Sequence, residues 1–225
     1  MKIKIVNACI GDNIGDKVIL FNTVKAINDI NPSIEVSYEH YITDYKLTAE
    51  NFWECVEKAL RPENQEIHDK VNRIREADLI IAVGGGYLCD WNRDMYNDFV
   101  IYKLFEPAIA QKLNKPVFFC AHTIDMYDKK VEGILNTVLG KATVTTREPY
   151  SGRYLDRLGI SYQKAADMAF MTNLTQRNTK TDFIGVCLRG DKQIKEDLWR
   201  DSLSTIKHEF FTTNYATDMK IAREL

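Results

Sequence analysis

Residues 77–90 read ADLIIAVGGGYLCD, an apolar run that empties into three consecutive glycines. ADLIIAV is apolar throughout, as a strand covered on both faces must be, and such strands belong to parallel sheets buried between helices. The rest of the chain supplies the helices and further strands. KIKIVNAC opens it as a short strand, and Val18, Ile19, Phe21, Val24 and Ile27 in GDKVILFNTVKAIND fall mostly on one helical face. IEVSYEH alternates as a second strand. Residues 47–76 have helical spacing interrupted near Arg61-Pro62, because proline disfavours helix just before it. A helix over about 97–113, the strand PVFFCAH, a helix over about 129–139 reaching Gly140 and the strand ATVTT follow. PYSGRYLDRLG is a compact helix, with Pro149 suited to its first turn and Gly159 just past its end. ISYQKAAD makes a final short strand.

Strands alternating with helices over this length predict an α/β domain at residues 1–170, a Rossmann-like parallel sheet covered by helices. MTNLTQRNTKT, residues 171–181, is polar and aperiodic, which suits a linker. Residues 182–225 open a second α/β unit with the strand in DFIGVCLRGD and a helix over about 194–210. That unit is too small to bury a core of its own, so an incomplete second domain is expected.

Composition narrows the function. The 225 residues are 45% apolar and 28% charged, as in a soluble globular protein with a full core. A formal net charge of −2 lacks the basic excess of a general nucleic-acid surface. No apolar run approaches the roughly 18–20 residues that span a bilayer. The start, MKIKIVNACIGDNIGD, lacks the apolar core and cleavage pattern of a signal peptide, so a cytoplasmic location is expected. Cys9, Cys55, Cys89, Cys120 and Cys187 are scattered and odd in number, which suggests neither a disulfide framework nor a zinc site, and Cys9, Cys120 and Cys187 lie in or at the ends of predicted strands, as small buried hydrophobes do.

In an open parallel sheet, ligands bind beyond the carboxyl ends of the strands. Five stretches fall there: GDNIGD, GGGYLCD, AHTID, REP and LRGD. They are expected to converge on one rim carrying Asn13, Gly15, Asp16, Gly84, Gly85, Gly86, His122, Arg147 and Arg189. GDNIGD opens a helix, where free N–H groups favour an anion. It is not the G-x-G-x-x-G of a dinucleotide site, and Asn13 and Asp16 would equally serve as helix caps. Three glycines after a buried strand suit either ligand approach or tight packing. Arg147 and Arg189 can each hold a carboxylate or phosphate through paired hydrogen bonds, although Arg147 could instead pair with Glu148. His122 has an intrinsic pKa near working pH and is the candidate acid or base of the rim. No nucleophile elbow, Walker loop or metal-ligand cluster is present in the sequence.

In order and spacing, GDNIGDKVI, ADLIIAVGGGYL, ATVTTREPYSGRYLDRLGI, KAADMAF and FIGVCLRG resemble the polysaccharide pyruvyl transferase family over about residues 5–190. The resemblance implies the N-terminal half of a two-domain, GT-B-like transferase with its active site between Rossmann-like halves. It implies phosphoenolpyruvate as donor substrate, no cofactor or metal, and a sugar hydroxyl pair of a cell-surface or lipid-linked glycan as acceptor. A lipid-linked acceptor would bring the protein to the inner membrane. Arg147 and Arg189 would hold the donor's carboxylate or phosphate, Gly84–Gly86 would floor the cleft, and Asn13, Gly15 and Asp16 would shape the acceptor side.

The chain departs from the family at HTIDMYD, where members carry a glycine-proline turn and this sequence has Asp125 and Met126. It also lacks, within 225 residues, the later arginine-and-histidine segment that carries the family's acid. Two alternatives accompany this reading. One is a truncated, non-catalytic anion- or sugar-binding module of the same fold; the other is a GT-B-type glycosyltransferase using a nucleotide sugar.

Overall fold

The computed structural model describes residues 1–8, 13–39, 45–63, 65–89, 97–172, 184–188 and 208–212. Its first elements are β1 (Lys2–Val6), α1 (Ile14–Ile30), β2 (Glu35–Tyr38), α2 (Phe52–Ala59), α3 (Gln65–Glu76), β3 (Leu79–Ala82) and β4 (Gly85–Cys89). They are followed by α4 (Asn97–Lys112), β5 (Val117–Asp125), α5 (Lys129–Leu139), β6 (Thr143–Thr146), α6 (Pro149–Leu158), β7 (Gln163–Lys164) and a 3-10 turn (Met168–Met171). A separate parallel pair is formed by β8 (Ile184–Leu188) and β9 (His208–Thr212).

The seven-stranded sheet runs β2–β1–β3–β5–β6–β7, with β4 also on β5, and every one of these pairings is parallel. This is the Rossmann-like α/β arrangement that the strand–helix alternation predicts. The order reverses at β1, so β1 and β3 flank the switch point where a crevice opens beyond the strand ends. Period-two alternation divides the core into two layers. Ile3, Ile5, Ile81 and Val83 face α1, whereas Val6, Ile80, Ala82, Phe119 and Val144 face the layer of α2 to α6.

The glycine run is not a simple exit from the sheet. The chain kinks at Val83–Gly84 and re-enters as β4, so β3 and β4 lie end to end along the same β5. Ile80 is opposite Val117 in the first pairing, and Gly85 is opposite His122 in the second. β5 carries a matching irregularity between Phe119 and His122, with Ala121 in the left-handed region at φ 47°. The Thr145 hydroxyl satisfies this bulge, accepting from the Ala121 N–H at 2.6 Å and donating to the Phe119 carbonyl at 3.1 Å. A side chain in the neighbouring strand thus holds a backbone conformation that alanine disfavours.

The helices end where the sequence predicts. Asp128 caps α5 by accepting from the Lys130 and Val131 N–H groups. Pro149 occupies the first turn of α6, and Gly159 closes it with φ 70°. Two expectations need correction. The strand over ISYQKAAD shrinks to Gln163–Lys164, both exposed, because the edge of the sheet offers little surface to cover. The helix over about 194–210 cannot reach its expected end, since His208–Thr212 is a strand paired to β8; its earlier part lies outside the described residues. The domain boundary at 170–171 falls inside the 3-10 turn, and the linker beyond Thr172 also lies outside them.

Buried charge runs beneath β1. Lys4, Lys103 and Glu106 are almost fully enclosed, and Lys4 Nζ lies 3.3 Å from Glu39 Oε2. The Lys103 ammonium stands 4.7 Å and 4.8 Å from the ring centres of Tyr87 and Phe99, at the distance of a cation–π contact. Asn7, left-handed at φ 63°, ends β1 and donates to the Lys103 carbonyl at 3.0 Å.

Candidate functional site

Arg147 leaves the carboxyl end of β6 and is only about a quarter exposed. Three neighbours hold its guanidinium. Nε donates to Thr123 Oγ1 on β5 at 2.8 Å, and Nη1 pairs with Asp167 Oδ2. Glu148 Oε2 lies 3.4 Å from Nε. Glu148 is itself tied back to α6 by the Ser151 hydroxyl, which also accepts from the Ile124 N–H at 2.8 Å. Pairing with Glu148, the bland alternative for Arg147, is therefore present, but Asp167 and Thr123 make the closer contacts.

Beside this cluster opens a cleft of about 340 Å³, lined by Arg147, Glu148, Pro149, Lys164 and Ala165. Two cationic side chains, Arg147 and Lys164, and one carboxylate, Glu148, line it. Anion recognition at such a place depends on guanidinium donors that the carboxylates leave over.

The three glycines separate into three roles. A methyl at Gly84 would come within 2.3 Å of the Cys120 carbonyl oxygen, so position 84 is packed backbone against backbone. Gly85 has φ 146°, a conformation that side chains avoid, and Tyr87 covers it. Gly86 is exposed, and the atom nearest to where its methyl would stand is Arg147 Nη2, at 3.6 Å. Packing thus accounts for the first, backbone geometry for the second, and only the third has room for a ligand.

His122 is not at the rim. It is fully buried, opposite Gly85 and 5.5 Å from the Phe119 ring, and neither ring nitrogen has a hydrogen-bond partner. Burial pushes its pKa down to about 3; the backbone of Ala82 and Gly85 opposes this without reaching good hydrogen-bond geometry, and the Arg147 charge adds to the depression. The imidazole is neutral at working pH and enclosed, so the expected acid–base role for His122 does not fit the structure.

Asn13 caps α1, its side chain accepting from the Asp16 N–H at 3.3 Å. Gly15 is exposed, and a methyl there would stand 3.2 Å from Asn13 Oδ1, crowding that cap. The capping alternative therefore accounts for Asn13, and Asp16 supplies the acidic residue of the first turn. Arg189, Cys9 and residues 11 and 12 lie outside the described residues. Cys55, Cys89 and Cys120 are buried, and burial pushes the Cys120 thiol up to about 11.

Several contributors had no sequence pattern of their own. Thr123 and Asp167 are brought to Arg147 from β5 and the segment after β7, and Ser151 is brought to Glu148 from α6. Asn22, in the middle of α1, donates to the Met168 carbonyl at 2.7 Å and to Thr172 Oγ1 at 2.8 Å, tying that helix to the same segment. Asn22 and Thr23 are both polar and buried on this helix, so residue type alone did not single out the tether. Among the described residues no helix is long and apolar enough to cross a membrane, and no group of three His, Cys, Asp or Glu side chains is placed to hold a metal ion.

These features define an α/β protein of Rossmann-like build with a charged cleft beyond the carboxyl ends of its strands. The model of the family described as polysaccharide pyruvyl transferase matches residues 13–218, and the chain belongs to that family. Among solved structures it is similar to a functional uncharacterized protein from Klebsiella pneumoniae subsp. pneumoniae NTUH-K2044, at 20% identity and a TM-score of 0.48. The match covers 84% of this chain and 60% of that one, so the chain spans less than two thirds of its neighbour's length. No curated protein matches the chain closely enough to count as a relative.

Proposed function

We propose that this chain binds phosphoenolpyruvate at the Arg147 cleft and forms the donor side of a pyruvyl transferase. The observation that supports it is the guanidinium held at the carboxyl edge of the sheet, with Nη2 toward exposed Gly86 and Lys164 lining the same cleft. A planar fork of donors suits a carboxylate or a phosphate, and phosphoenolpyruvate carries both. Arg189, outside the described residues, is the second cation of this reading. Asn13, Gly15 and Asp16 belong to the acceptor side only through the family resemblance.

The reaction balances without a cofactor. A proton adds to the vinyl CH2, giving a methyl group and an oxocarbenium-like centre. Two hydroxyls of the acceptor sugar attack that carbon as its bond to the phosphate oxygen breaks. Of the two hydroxyl protons, one balances the proton taken by the methyl and the other leaves with phosphate. Cations at the departing phosphate lower the barrier, and a positioned acid supplies the first proton. His122, buried and neutral, is not that acid in this proposal. The acceptor is a sugar of a cell-surface glycan, reached in the cytoplasm on a lipid carrier, and the wider architecture is the GT-B-like pair of domains.

Calorimetric titration with phosphoenolpyruvate, and phosphate release in the presence of glycan acceptors, test this reading. Arg147→Ala is expected to weaken donor binding by about tenfold or more, the loss of at least one charge-assisted hydrogen bond. Unchanged binding in that variant would remove Arg147 from the site. Donor binding without phosphate release would favour the non-catalytic module, a reading supported by the enclosure of His122. Preference for a nucleotide sugar would favour a glycosyltransferase.

A further inference from the structure

We infer that Asp167 is a positioning residue for Arg147, and this rests on Arg147 being the anion-binding group proposed above. The two carboxylate oxygens of Asp167 have separate tasks. Oδ2 takes Nη1 of Arg147, and Oδ1 takes the Ala169 N–H at 2.9 Å, capping the 3-10 turn. The turn is fixed in its own right, because Asn22 on α1 holds the Met168 carbonyl and the Thr172 hydroxyl. Asp167 therefore presents its carboxylate to Arg147 from a braced segment. It is 17% exposed, so water screens the pair only in part.

The guanidinium has three nitrogens, and two are engaged. Thr123 fixes Nε and Asp167 fixes Nη1, which leaves Nη2 on the side of Gly86. Glu148 is the rival, 3.4 Å from Nε at the start of α6. Without Asp167 the guanidinium is free to turn to Glu148 and away from the cleft. Asp167 thus acts through Arg147 and touches no substrate itself.

Both partners of Asp167 are donors, and this separates the tasks by mutation. Asparagine keeps the cap with its one acceptor oxygen on the Ala169 N–H, and its amide NH2 then meets Nη1 donor against donor, so Asp167→Asn removes the Arg147 contact and retains the cap. Alanine serves neither. If Asp167 were only a cap for the turn, its loss would leave the arginine's donors in place.

The test is a double-mutant cycle on the full chain, with dissociation constants for phosphoenolpyruvate and for inorganic phosphate measured by calorimetry. Asp167→Asn and Asp167→Ala are each expected to bind about tenfold more weakly than wild type. Added to Arg147→Ala, Asp167→Ala is expected to cause no further loss. The inference is overturned by unchanged binding, by tighter binding (which would make Asp167 a competitor of the ligand) or by an equal loss in both backgrounds. If Asp167→Ala does not fold, Asp167→Asn, which can still cap Ala169, decides.

Wild type binding neither anion would sink the functional reading alone. Nitrogen NMR of the Arg147 Nε–H group then decides the positioning role without a ligand. A sharp, slowly exchanging signal in wild type that broadens in the Asp167 variants supports it. An unchanged signal overturns it.

Discussion

A methyl group at position 84 would stand 2.3 Å from the Cys120 carbonyl oxygen and 3.0 Å from that of Ala121, two backbone atoms that cannot swing aside. At position 86 the nearest atom is Arg147 Nη2, 3.6 Å away and at ordinary contact distance. Gly84→Ala is therefore expected to lose about 3 kcal/mol of stability or more, the cost of overpacking against backbone. Gly86→Ala should stay within about 0.5 kcal/mol of wild type, as exposed substitutions do, while weakening phosphoenolpyruvate binding beside Nη2. Urea unfolding and calorimetry check both. Equal unfolding midpoints for the two variants would refute this division of roles. From GGG alone, packing and ligand approach were equally good readings, because a sequence does not show which strand faces each glycine.

At the scale of elements, α1 is held at two points by asparagines with different tasks. Asn13 at its start makes a local cap, three residues from its partner, and its loss to alanine should cost about 1 kcal/mol. Asn22, buried in the helix interior, bonds to residues about 150 positions away. Asn22→Ala leaves the Met168 carbonyl and the Thr172 hydroxyl to find other partners, and should cost about 1–3 kcal/mol. By tying α1 to the turn that braces Asp167, it should also weaken anion binding, whereas Asn13→Ala should leave anion binding unchanged. Thermal unfolding paired with phosphate titration separates these outcomes, and anion binding unaltered in Asn22→Ala would break the proposed link. The cap was legible because its partners are neighbours in sequence. The tether was not, because asparagine is a poor helix former whose placement only a distant contact explains.

For the whole molecule, two buried groups oppose one another in their effect on stability. Burial pushes the Glu106 carboxyl up to about 7; Lys4, Lys70 and Lys103 pull it down, and Glu39 raises it. Its folded pKa lies above its unfolded value, so its stabilising contribution is full below that unfolded value and is lost as pH rises through about 7. His122 has the reverse sign. Its folded pKa of about 3 lies below the unfolded value, so its contribution is present above the unfolded pKa and is lost as pH falls toward about 3. Between about pH 4.5 and 6.5 the two slopes oppose and the stability profile flattens. Glu106→Gln should expose the His122 slope, with stability climbing through that window and no decline near pH 7. His122→Gln should leave only the decline. Unfolding temperatures measured across the range check this, and a Glu106→Gln profile identical to wild type would show that the carboxyl does not titrate as its burial requires.

The alternation of strands and helices through Lys164, β4 apart, the bounds of α5 and α6 and the parallel character of the sheet follow from the sequence, because apolar period, proline and glycine act within a few residues. The family follows from it as well, through short segments in a fixed order. Only the tertiary structure decided that the glycine run restarts a strand, that His122 is enclosed, and that Arg147 answers to Thr123 and Asp167. Each of those depends on contacts between strands and segments far apart in the chain, where the burial of a polar group and the partner it meets are set by packing and not by spacing.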